Sequence, residues 1–142
     1  MDEGSARSLA TTIIRPCGLL GYLVGRGTWW PNEARLKLGK RAIGQVMGSA
    51  YYFLGPVWQA YPALDPARVS DPFGLAAQTC TFQDRPEDLR ALLSDLETSV
   101  HAAVPILEEH LPASRDHFRD ALAEVDVALH AAHEVLQGSE LH

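Results

Sequence analysis

Cysteine is scarce, alternating β-branched runs are absent, and no catalytic signature can be recognised. Two cysteines in 142 residues, Cys17 and Cys80, are too few for a disulfide framework, which favours a reducing compartment. The opening residues MDEGSARS are acidic where a secretory leader would be basic, so a cytoplasmic location is expected. Without period-two alternation of useful length, a sheet is excluded as the organising element. Gly-x-Ser-x-Gly and the phosphate loop are missing. GLLGYLVGRG, residues 18–27, has neither the glycine spacing nor the preceding strand of a dinucleotide fingerprint.

Charge is missing from one long stretch. Ala42 to Leu64, AIGQVMGSAYYFLGPVWQAYPAL, carries no charged side chain. Its length would suit a bilayer. Two glutamines, two prolines and aromatics spread along its whole length argue against a span, and no membrane span is expected. As a helix apolar nearly all round it reads as a central, buried element. Gly44 and Gly48 stand four apart, and such a spacing predicts the close approach of another helix, since each glycine costs about 1 kcal/mol in helix propensity. Trp29, Trp30, Tyr51, Tyr52, Trp58 and Tyr61 are many large aromatics for one region, and tyrosine and tryptophan are favoured where proteins meet.

Composition supports a globular chain. Apolar residues make up 46% and charged residues 21%, and 142 residues suffice for one domain with its own core. The net charge of −6 is unevenly shared. Residues 1–62 carry seven cations and three anions, +4, while residues 63–142 carry five cations and fifteen anions, −10. Either the halves neutralise each other or a basic face, centred on Arg35, Lys37, Lys40 and Arg41, awaits an anionic partner. RGTWWPNEARLKLGKR mixes indoles with cations as single-strand binders do. The acidic total and the lack of a recognised motif mean that nucleic acid is not expected.

Helical periodicity dominates the second half. Leu89, Leu93, Leu96, Val100, Ala103 and Leu107 line one face, and Phe118, Leu122, Val125, Leu129, Ala132 and Leu136 line another. With HLPAS between them, they predict an antiparallel helical hairpin. Asp84 with Glu87 reads as a capping box around Pro86, Ser114 as an N-cap and Gly138 as a C-cap. Pro105 removes a donor inside the third helix, where a kink is expected. In the first half, residues 6–26 form one helix or two around Pro16. Residues 32–54 form the next helix, ended by Gly55-Pro56. The fold class expected is all-α: one domain, 1–142, a four-helix-type bundle with helices near 6–26, 32–54, 86–110 and 114–137. A Pro-rich crossover at about 62–85 is expected to hold a short extra helix beginning at Asp71-Pro72.

Six histidines raise the question of metal. Asp126, His130 and His133 recur at spacings of three and four, the arrangement a weak metal site would use. The spacing leaves His130 off the apolar seam and His133 beside it, so a solvated face is the plainer reading, and no cofactor is expected. HAAHEVLQGSELH looks superficially like the phospho-accepting helix of histidine phosphotransfer domains. It departs from that pattern by one extra residue and by Gln137 where the assisting lysine would stand. Two functions from different classes follow. The first is a small soluble, non-enzymatic interaction or regulatory protein, acting as a homo-oligomer or as a subunit of a larger complex. It would bind through the aromatic segment and the basic cluster. The alternative is a small-molecule-binding or catalytic bundle, with Tyr51, Tyr52 and Trp58 around an apolar pocket and His101 supplying acid–base chemistry.

Overall fold

Asp2 opens the first helix by accepting the Ser5 amide on Oδ1 at 2.7 Å, a side-chain N-cap that satisfies one of the otherwise orphaned donors. In this computed structural model the chain is described over residues 1–65 and 81–140, with backbone only for the last two. Helix α1 is Glu3–Leu23, α2 Glu33–Phe53, α3 Gly55–Ala60, α4 Pro86–His110 and α5 Arg115–Glu140. Single 3-10 turns occupy Pro62–Leu64 and Pro112–Ser114. No strand occurs among the described residues.

The four long helices form a ring in which α1 packs on α2 and α4, and α5 packs on α2 and α4. Ion pairs between α4 and α5 give their relative direction: His101 meets Asp126 and Glu108 meets Arg119, so residue numbers rise on one helix as they fall on the other. Between α1 and α4, Gly25 and Gly27 meet Asp84 at one end, while Asp2 and His110 border a common cleft at the other. Between α2 and α5, Tyr52 meets His117 and Gly138 lies beside Arg35. Neighbours around the ring therefore run in opposite directions.

The apolar stripes account for the core. Leu89, Leu93, Leu96, Val100 and Leu107 of α4 are fully buried, as are Phe118 and Val125 of α5. Phe53 of α2 meets Phe118 with ring centroids 5.5 Å apart, a tilted contact of the kind aromatic pairs prefer. Cys17 is also buried, and desolvation pushes its thiol up to about 12, so it behaves as a small apolar side chain.

α1 runs as one helix through Pro16, whose ring is buried in the core-facing side, and α4 holds Pro105 inside one helix. Two local expectations are corrected. The N-cap of α4 is Arg85, without a side-chain cap bond. Asp84 faces inward instead, and Asp88 reaches back to accept the Gln83 amide at 2.8 Å and the Arg85 guanidinium at 2.8 Å. Gly138 does not end α5, which continues to Glu140. Gly55-Pro56 does end α2, because Pro56 starts α3 in its first turn. The expected helix from Asp71 and the thiol of Cys80 lie outside the described residues.

Candidate functional site

One carboxylate organises the α1–α2 junction. Asp84 is 5% exposed. Its Oδ2 accepts the Gly25 and Gly27 amides at 2.9 Å and the Trp30 indole N–H at 3.0 Å, and its Oδ1 accepts the Trp29 indole N–H at 3.0 Å. Two glycines make this loop possible. Gly25 has φ +93°, a conformation side chains resist, and a Cβ on Gly27 would stand 2.5 Å from the Asp84 carbonyl oxygen. The Trp29 and Trp30 rings lie 4.1 Å apart, and the Trp30 ring covers Gly39 so closely that a Cβ there would come within 2.1 Å of it. Both indole N–H groups are thus spent inside the molecule, and both rings are only partly exposed. The tryptophans hold the loop; their polar ends are not presented to a partner.

The basic cluster is divided by the helix it sits on. Arg35 is half-buried and turned toward Gly138 at the end of α5. Lys40 extends along the loop, its Cε beside Gly25. Lys37, which also makes a 3.8 Å ion pair with Glu33, and Arg41 are exposed. The aromatic residues separate in the same way. Tyr51 is half-buried, and desolvation, with Cys17 nearby, raises its pKa above the usual phenol value. Trp58 is half-buried against the core, and the Tyr61 hydroxyl donates to the Met1 carbonyl. Tyr52 stands 56% exposed. The His117 Nε2 donates to the Tyr52 backbone carbonyl at 2.9 Å, and the two rings lie 4.7 Å apart.

The histidines and carboxylates weighed for metal or catalysis are distributed among separate contacts. His101 meets Asp126 at 2.8 Å between α4 and α5, and His130 meets Glu134 at 3.1 Å within α5. His133 is partly buried, and desolvation lowers its pKa against a smaller opposing pull from Glu97. Among the described residues no three His, Cys, Asp or Glu side chains are grouped closely enough to hold a metal ion.

Two opposite sides of the bundle carry surface features. On one side, between α2 and α5, a shallow cleft of about 550 Å³ is lined by Gln45, Gly48, Ser49, Ala123, Glu124 and Val127, among others. Gly44 and Gly48 face outward here, and a Cβ on either would meet no atom within 4 Å. Among the described residues, the close helix approach expected of this pair does not occur. Val127 is 71% exposed beside them. Ala42–Leu64 is consequently two-faced: Ala42, Ile43, Val46, Ala50 and Phe53 are buried, while Gly44, Gln45, Gly48 and Tyr52 look outward. On the other side, α1 and α4 border a cleft of about 560 Å³. Tyr51, Tyr52, Trp58 and His101 border neither of these two clefts. No described helix is long and apolar enough to cross a membrane. No family model, curated protein or solved structure matches the chain.

Proposed function

We propose that this is a non-enzymatic interaction protein that works as a homo-oligomer, and that its docking surface is the face shared by α2 and α5. One observation carries the reading: Gly44 and Gly48 weaken α2 by about 1 kcal/mol each relative to alanine, yet among the described residues no side chain uses the space they leave. A smooth strip with Val127 at its centre lets a second backbone come close, and close approach is the return such glycines give. The ends of the face differ in charge. Lys37 and Arg41 lie at the end of α2 nearest the loop, and Asp120 and Glu124 lie toward the start of α5. A second copy laid across the face brings unlike ends together, whereas a partner of a single charge sign would match only half of it.

Light scattering coupled to size-exclusion chromatography tests this. The wild-type chain elutes as a dimer or larger, and Gly48→Leu shifts it to monomer without loss of helix content. A Cβ at this position meets no described atom within 4 Å, and the rest of the leucine side chain fills the strip. Raising the salt concentration weakens the association because the charged ends are screened. A wild-type monomer at high protein concentration, or an oligomer unchanged by Gly48→Leu, overturns the reading.

A further inference from the structure

The second feature lies across the bundle from the docking face. α1 and α4 run in opposite directions, which sets residues of the two helices level with each other in pairs. Leu19 and Leu92, Arg15 and Asp95, and Thr12 with Thr98 and Ser99 all border the same cleft of about 560 Å³. Its volume falls in the range of small-molecule sites. The arrangement of its charged groups is unusual. Arg15 and Asp95 carry opposite charges, border one cleft from opposite helices, and neither makes an ion pair among the described residues. Each is exposed, so neither is held in place by burial.

We propose that this cleft binds a zwitterionic amino acid with an apolar side chain, its carboxylate on Arg15 and its ammonium on Asp95. The chemistry of the walls selects this class. A simple anion drawn to Arg15 would face the Asp95 carboxylate across the cleft, and a simple cation drawn to Asp95 would face the Arg15 guanidinium. A ligand carrying both charges satisfies both walls with charge-assisted hydrogen bonds, which are stronger than neutral ones. The hydroxyls fit the same polarity. Thr12 Oγ1 donates to the Leu9 carbonyl at 2.7 Å, which leaves the hydroxyl oxygen as an acceptor at the cleft. Pro16, Leu19 and Leu92 supply the apolar wall for a side chain. The site needs no second subunit, so it stands apart from the α2–α5 face.

Amide chemical-shift titration of the intact chain with L-leucine is the test, alongside 4-methylpentanoate, which lacks the ammonium, and 3-methylbutylamine, which lacks the carboxylate. Saturable shifts are expected at Leu19, Leu92, Thr98 and Ser99, with either analogue about tenfold weaker or worse, the loss of one charge-assisted contact. Arg15→Gln should bind L-leucine no better than the amine, and Asp95→Asn no better than the acid. Both side chains are exposed, so unchanged shifts elsewhere certify the fold of each variant. Absence of saturable shifts with L-leucine overturns the proposal. So does equal binding of the three probes, or L-leucine affinity retained in both variants.

Discussion

Asp84 shows how much one side chain can decide. Four N–H groups converge on its carboxylate, and replacing it would leave these part-buried donors unmet. Asp84→Ala is expected to cost about 3–5 kcal/mol, the scale of removing one partner from a buried charged network. Asp84→Asn retains the shape but must point an amide N–H₂ at one or more of the donors, so it should also destabilise, by a smaller amount. Urea unfolding followed by far-ultraviolet circular dichroism measures both. A loss under about 1 kcal/mol for the alanine variant would show that the node is incidental.

At the scale of the element, α2 contains an internal comparison. Gly39, Gly44 and Gly48 lie on one helix, but only Gly39 has a neighbour in the way, the Trp30 ring, 2.1 Å from where a Cβ would stand. Gly39→Ala should therefore lower the melting temperature despite its gain in helix propensity, and Gly44→Ala should raise stability by about 1 kcal/mol. Thermal melts at low protein concentration, where self-association is negligible, decide between them; equal effects of the two would refute the assigned environments.

The same helix marks what can be read in advance. α4 and α5 are legible to within a few residues because Leu89 through Leu107 and Phe118 through Leu136 repeat at the helical period, a local signal that tertiary packing reinforces. Asp84 is not. Its position before Pro86 and three residues ahead of Glu87 reads as a cap, and the donors that claim it are 54 to 59 residues away. Gly44 and Gly48 announce a smooth strip, but spacing carries no information about what covers it. The absence of charge from Ala42 to Leu64 reads as burial all round, whereas glycine, glutamine and serine line its outer side. Arg15 and Asp95 are legible only as surface charges, since nothing local sets them level across a cleft.

For the molecule as a whole, the ion pairs described stay within the two halves of the chain. Lys37 pairs with Glu33 inside the first half, and the pairs of Arg85, His101, Arg119 and His130 all lie inside the second. None of these contacts joins the basic half to the acidic one. Stability should depend on pH through His133. Desolvation between α4 and α5, larger than the attraction of Glu97, lowers its folded pKa below the 6.5 of the free side chain. The unfolded chain then binds the proton more readily, and stability falls as pH drops below about 6.5. His133→Gln should flatten the pH dependence of the melting temperature below about pH 6.5; a wild-type slope in that variant would assign the effect elsewhere.

The loop at residues 25–30 also governs how the molecule reports on itself. Trp29 and Trp30 are two of the three tryptophans in the sequence, and both touch the second half of the chain through a single carboxylate. Indole emission is accordingly weighted toward the meeting of the α1–α2 and α4–α5 hairpins, while circular dichroism follows the helices themselves. A chain in which the hairpins form before they dock would reveal the interval between those two events as a gap between the two signals.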